Sequence, residues 1–268
     1  MKHCFSILRM LRPHQWVKNL FVLAPAVFAK ELLMKEVVGR SLAAFAGFCF
    51  AASAIYIFND LVDRHADRVH PVKCQRPIAS GAVNPTTAIV VALGLVGLAI
   101  LVGYLLSTKF LLLTLAYIVL NLAYSLRLKN IAYIDALCIA SGFELRVLAG
   151  AAAVEVNPST YLMLVTFVLA LFLAFGKRGH ELAQGKAAYA QRSSLRGYTP
   201  RIVQGALYTT AIVTILTYAA YTLDPVTQSF FQTKYFYITT VFVVFGVGRF
   251  IVLIHRNNVA DSPTEKML

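Results

Sequence analysis

Apolar residues run along this chain in long blocks separated by short polar gaps, and the blocks are long enough to cross a bilayer. A spanning helix takes about 20 mostly apolar residues. Eight segments meet that length, at roughly 17–36, 40–60, 86–106, 109–126, 131–153, 159–176, 201–222 and 235–255. The first of them is interrupted by Pro25 and closed by charged residues. No gap has room for a soluble domain. The pattern therefore predicts an all-α, multi-pass transmembrane bundle, with residues 1–268 forming a single integral membrane domain. The two longest gaps, 61–85 and 177–200, are polar and rich in cations.

Composition agrees and narrows the class. Of the 268 residues, 59% are hydrophobic and 14% charged, with a mean hydropathy of +0.69. A soluble domain of this size needs far more polar surface. The net charge of +13 raises the question of nucleic acid, but the basic residues sit between apolar runs. That arrangement predicts no nucleic-acid partner. It points instead to a membrane, with anionic lipid heads or anionic substrates as partners. The four cysteines (Cys4, Cys49, Cys74 and Cys138) show no CxxC or metal-ligand spacing. Cys49 and Cys138 fall inside apolar runs and read as buried thiols. Near the start, Phe5, Ile7, Leu8 and Leu11 alternate with Lys2, Arg9 and Arg12. This fits an interfacial amphipathic helix and not a cleaved signal peptide.

Sorting the cations by gap orients the bundle. Eighteen of the twenty-five Lys and Arg residues belong to the N-terminal segment, the gaps at 61–85, 127–130 and 177–201, and the C-terminal tail. Lys30, Lys35, Arg40, Lys109 and Lys234 belong to the opposite face, while Arg146 and Arg249 lie inside apolar blocks. The positive-inside rule then makes the N-terminus and both long gaps cytoplasmic. The expected location is the plasma (inner) membrane with the active site facing the cytoplasm.

The chemistry starts where the second block ends, at Asn59-Asp60-Leu61-Val62-Asp63-Arg64-His65-Ala66-Asp67. On a continuous α-helix, Asp60, Asp63 and Asp67 fall within an arc of about 60°. Three carboxylates so crowded repel one another unless cations face them. With the Asn59 carbonyl they form a hard-oxygen set suited to Mg²⁺, which completes its shell with water and substrate phosphate. A solvated acidic helix end is the plainer reading, but it would not need all three acids on one face. Lys73 and Arg76 follow, placed to meet phosphate oxygens that a metal leaves uncovered. His65 and His70, five residues apart, read as ordinary loop histidines.

Asn-Asp-x-x-Asp-x-x-x-Asp followed by Lys-x-x-Arg-Pro-Ile-x-Ser-Gly, at 59–81, resembles the first aspartate-rich motif of the UbiA superfamily of intramembrane prenyltransferases. The segments Arg12-Pro13-His14-Gln15-Trp16-Val17-Lys18-Asn19, Tyr124-Ser125-Leu126-Arg127-Leu128-Lys129 and Gly176-Lys177-Arg178 are similar to its decaprenyl-phosphate phosphoribosyltransferase branch. The resemblance implies a nine-span architecture. It also implies transfer of 5-phosphoribose from phosphoribosyl diphosphate to a polyprenyl (decaprenyl) phosphate, with release of diphosphate. Mg²⁺ would be the cofactor, and a homo-oligomer is left open.

Two departures stand out. Ordinary members of the superfamily share a second acidic motif, Asp-x-x-x-Asp, on the fifth helix; here the matching stretch is Asp135-Ala136-Leu137-Cys138-Ile139, with one aspartate. Eight spans are counted where nine are implied, and the chain ends on a polar stretch that resembles a linker. Ionisable groups inside a span default to functional or paired roles. Asp135 is accordingly expected to meet the sugar or a second metal, and Arg146 a phosphate or carboxylate. A structural pairing of Arg146 with Asp135 or Glu144 is the alternative, although eleven residues span about 16 Å of helix.

The site expected from these readings has Asp60, Asp63 and Asp135 as catalytic residues and Asp60, Asp63 and Asp67 as metal ligands. Lys18, Asn19, Asn59, Lys73, Arg76, Tyr124, Lys129, Arg146, Lys177 and Arg178 would bind substrate. Two phosphorylated substrates explain why cations approach from several segments. Transfer of a prenyl group from prenyl diphosphate to an aromatic acceptor such as 4-hydroxybenzoate is the rival within enzymes. A transporter is the rival outside them, but no internal repeat is visible.

Overall fold

The structure, a computed structural model, describes residues 2–30, 34–183 and 193–255. It is helical throughout, without a strand among the described residues. Seven helices are long and apolar enough to cross a membrane: Lys35–Val62, Pro85–Leu106, Thr108–Leu126, Ile134–Val154, Thr160–Ala183, Pro200–Leu223 and Tyr235–Ile254. These match seven of the eight predicted spans. The eighth, 17–36, is corrected. Its residues belong to a 3₁₀ run, Pro13–Val22, and a short helix, α2, Ala24–Phe28. Arg12 adopts the left-handed region (φ 53°) and Pro13 starts the run, while Pro25 sits in the first turn of α2. Within 17–36, Pro25 and the left-handed Lys30 (φ 59°) stop one long α-helix from forming. The polar tail proposed as a linker lies outside the described residues, as do Lys186, Arg192, Arg256 and Lys266.

The chain divides into two compact units, Met1–Leu128 with Glu144–Pro158, and Lys129–Phe143 with Ser159–Leu268. In the first unit, α3 (Lys35–Val62) is apolar on all sides and packed against α5 (Pro85–Leu106) and α6 (Thr108–Leu126). Ala44, Gly47, Ala51, Ala52 and Ala54 along it are small and buried, which permits close helix approach where lipid offers no hydrophobic drive. Phe48 fills the centre, edge-on to Phe110 at 5.9 Å and tilted on Tyr117 at 5.2 Å. The second half of α7 (Ile134–Val154) adds Ala149, Ala152 and Ala153 to this core. Gly150 permits that contact: a Cβ there would lie 1.9 Å from the Val22 carbonyl oxygen. At the far end, Arg40 donates to the Ala153 carbonyl (2.6 Å) and the Leu106 carbonyl (3.4 Å) and pairs with Glu155. One cation thereby satisfies the C-terminal carbonyls of two helices.

Helix α1 (Lys2–Leu11) turns Met10 into a cluster with Ile57, Ile78 and Val83, which Ile7 and Leu11 join. Phe5 and Leu8 stay 70% and 53% exposed, as an interfacial helix requires. In the second unit, α8 (Thr160–Ala183), α9 (Pro200–Leu223) and α11 (Thr240–His255) pack together. Their core holds Phe172, Leu207, Ala211 and Phe250. Between α9 and α11 the short α10 (Pro225–Phe231) is capped by Asp224, whose Oδ2 accepts from the Thr227 amide. Arg249 is exposed on α11, in keeping with a side chain that snorkels.

Candidate active site

The acidic motif does not lie on one continuous helix. Helix α3 ends at Val62, Asp63 turns with ψ near 2°, and α4 (Arg64–Arg68) begins after it. Asp60 and Asp67 are buried while Asp63 is half-exposed. The expected single face of three acids is thereby corrected to a converging pair with Asp63 at the kink. Arg76 joins the pair: its Nη1 donates to Asp60 Oδ1 at 3.1 Å and to Asp67 Oδ2 at 2.6 Å. Arg12 completes the cluster, its Nη2 donating to the same Asp60 Oδ1 at 2.6 Å while its guanidinium lies over the Tyr56 ring. Two cations around two buried carboxylates offset the repulsion that the acids alone would suffer.

Local sequence explains how the loop places Arg76. His70 Nδ1 accepts from the amides of Val72 and Lys73 and rounds off the turn after α4, a structural role for a loop histidine. Arg76 is extended, as a residue before proline must be. Beyond it the Ser80 and Val83 amides close a turn on the Arg76 and Pro77 carbonyls. Gly81 supplies its left-handed residue (φ 79°). Ile78 and Val83 then bury themselves under α1 and pin the loop. Arg12 in the left-handed region costs on the order of 1–3 kcal/mol, a cost that clusters at functional sites.

A second polar group lies deeper in the same unit. Arg146 is 6% exposed; its Nε donates to Asn19 Oδ1 and its Nη2 to the Tyr117 hydroxyl, both at 2.9 Å. The Asn19 amide also donates to Cys49 Sγ. Asn19, expected to bind substrate, has its side chain fully buried, with its amide on Cys49 and its oxygen on Arg146. Arg146 thus sits on Asn19 and Tyr117 in the interior, where a cation inside a span needs such acceptors and rings around it. Lys18, Asn59, Lys73, Tyr124 and Lys129 are half-buried.

The second unit brings together Asp135, Arg178, Glu181 and Tyr198. Asp135 is 0% and Arg178 1% exposed. Asp135 Oδ2 lies 3.2 Å from Arg178 Nε, the Tyr198 hydroxyl donates to Oδ1, and Arg178 also pairs with Glu181 one turn on. Asp135, expected to meet a sugar or a second metal, and Arg178, expected to bind substrate, face each other in this structure. Each is enclosed by the other. Burial, and next the hydrogen bond and charge of Asp135, push the Tyr198 phenol well above its ordinary range, so it stays a donor. Lys177, the neighbour of Arg178, is half-buried. Sequence reasoning missed Tyr117, Tyr198 and Glu181 and gave Arg12 no role in the site. Tyr198 is 63 residues from Asp135 and carries no local signal.

The acidic pair fits a magnesium ion. Asp60 Oδ2 and Asp67 Oδ1 accept no hydrogen bond among the described residues, so each carboxylate has an oxygen to offer. No three His, Cys, Asp or Glu side chains among the described residues are grouped to chelate one ion. Mg²⁺ does not ask for that, since it takes one or two protein carboxylates and fills its shell with water and phosphate.

Comparison with known proteins agrees with this architecture. The UbiA prenyltransferase family model matches residues 21–267. The chain is 36% identical over 224 residues to the decaprenyl-phosphate phosphoribosyltransferase of Corynebacterium glutamicum, covering 82% of this chain and 68% of that one. With the Mycolicibacterium smegmatis protein of the same name, identity is 33% over 272 residues, covering 97% and 85% of the two chains. A UbiA homologue from Archaeoglobus fulgidus, solved with GPP and Mg²⁺, shares the fold. Its TM-score is 0.74 at 19% identity, over 97% of this chain and 92% of that one.

Proposed function

Because the chain is a membrane-embedded enzyme of the UbiA prenyltransferase family, we propose that it transfers 5-phosphoribose from phosphoribosyl diphosphate to a polyprenyl phosphate, releasing diphosphate. The observation that carries the substrate assignment is its likeness, over 82% and 97% of its length, to two enzymes named for that reaction. The site supports the chemistry. Cleaving the anomeric C–O bond builds negative charge on the departing diphosphate, and positioned cations stabilise it. Asp60 and Asp67, with Asp63 and Asn59 close by in sequence, would hold Mg²⁺, which would supply most of that neutralisation. Arg76 bridges the two carboxylates and Arg12 fixes Asp60, so both guanidinium groups border the leaving group, with Lys73 beside them in sequence. The acceptor is already an anion and needs no general base. Lys18 in the first 3₁₀ run, Lys129 after α6 and Lys177 in α8 are the cations assigned to the remaining phosphates, with Tyr124 as a hydroxyl donor.

The whole chain acts as one integral membrane domain in this reading. It lies in the plasma membrane with the acidic motif on the cytoplasmic side, because the cations gather there. In intact cells, a cysteine at position 73 in a cysteine-free background stays unlabelled by an impermeant maleimide, while one at position 228 is labelled. Labelling at 73 would reverse the topology.

A donor competition in isolated membranes tests the substrate class. Label from phosphoribosyl diphosphate enters the lipid fraction, and excess unlabelled phosphoribosyl diphosphate suppresses it while prenyl diphosphate does not. Suppression by prenyl diphosphate alone would favour the aromatic-acceptor rival.

A further inference from the structure

We propose that Asp135 is a positioning residue and not a metal ligand: with Tyr198 and Arg178 it fastens the segment just before α9 onto the C-terminal part of α8. The inference rests on the reading of the chain as a metal-dependent phosphoribosyl transferase and assigns the lone acid of α7 within it. A Mg²⁺ ligand must expose an oxygen to an ion that keeps several waters and meets phosphate. Asp135 offers none, with Oδ1 taken by the Tyr198 hydroxyl and Oδ2 facing the Arg178 guanidinium. An ion at Asp135 would have to expel Arg178, itself 1% exposed, and leave that cation buried without this carboxylate.

The surroundings are built for a fastening. Tyr198 packs tilted on Tyr133 with ring centroids 4.6 Å apart and planes at 54°, and Leu195 and Tyr198 pack with Ala132, Tyr133 and Leu182. Gly197 sits so close to this layer that a Cβ would lie 2.8 Å from the Ala132 side chain. The start of α7, the C-terminal part of α8 and the segment at the 3₁₀ turn Ser193–Gly197 are thus joined through one carboxylate. That part of α8 carries Lys177, adjacent to Arg178 and assigned above to a substrate phosphate. Asp135 therefore acts on the reaction through the placement of Lys177.

The test uses purified protein in detergent and two independent readouts, Mn²⁺ binding followed by electron paramagnetic resonance and steady-state kinetics for both phosphorylated substrates. Asp135→Asn and Tyr198→Phe keep the Mn²⁺ stoichiometry and affinity of the parent protein. Tyr198→Phe, which keeps the ring and its packing, raises the KM of one substrate by about ten-fold, the loss of one hydrogen bond to a charged group, with kcat nearly unchanged. Lys177→Met raises the same KM, and adding Tyr198→Phe to it raises that KM no further. Loss of Mn²⁺ binding in Asp135→Asn overturns the proposal, as does a Tyr198→Phe effect that adds fully to Lys177→Met. Failure of the metal reading itself shows elsewhere, as Mn²⁺ binding retained by Asp60→Asn.

Discussion

Asp60→Asn lowers turnover by on the order of 10²–10³-fold, the size of effect that follows loss of one preorganised electrostatic contact in an active site, while the protein stays folded. The effect is large because one oxygen, Asp60 Oδ1, takes both Arg12 and Arg76. Replacing the carboxylate removes a metal ligand and the charge that orients two cations at once. The fold survives because those guanidinium side chains are 21% and 24% exposed and water can solvate them when Asp60 is neutral. Asp63→Asn costs less, since Asp63 stands half-exposed at the helix kink. Activity assays beside thermal melting in detergent separate the two consequences. Full activity of Asp60→Asn, or of the parent protein in EDTA, would contradict the proposed site.

Gly150→Ala has the largest expected effect on stability. Its new Cβ would meet the Val22 carbonyl oxygen at 1.9 Å, far inside van der Waals contact, and the obstacle is backbone that cannot rotate away. Overpacking of this kind costs about 1–3 kcal/mol, occasionally more. The displaced 3₁₀ run also carries Asn19, the partner of Arg146, so the polar group inside the unit loosens with it. Gly94→Ala is the control: nothing lies within 4 Å of its Cβ position, and in mid-helix the exchange favours helix by up to about 1 kcal/mol. Melting curves should show a lower midpoint for Gly150→Ala and an unchanged or higher one for Gly94→Ala. Equal midpoints would mean that α7 and the 3₁₀ run are not packed so closely.

The seven matching spans were legible because a lipid-facing helix needs only length and apolarity, and α5 shows both with most of its side chains outward. The segment 17–36 has the same average character but fails as one helix, since Pro25 and the left-handed Lys30 act locally where a window average does not look. The acidic motif and its cations were legible as a set because they lie within about one loop of each other in sequence. Their pairing was not: the turn at Asp63 sets Asp60 and Asp67 as the pair, and Arg12 reaches them from 48 residues away. The interior groups are the hardest case. Arg146 meets Asn19 across 127 residues, and Asp135 meets Tyr198 across 63. A sequence shows that a buried charge needs partners, but tertiary packing chooses them.

The most direct test of the account is a complete reaction with purified protein, Mg²⁺, labelled phosphoribosyl diphosphate and polyprenyl phosphate. Labelled lipid and free diphosphate should appear in equal amounts, and both should vanish with chelator. No labelled lipid, together with a prenylated phenol when prenyl diphosphate and 4-hydroxybenzoate are supplied instead, would contradict it.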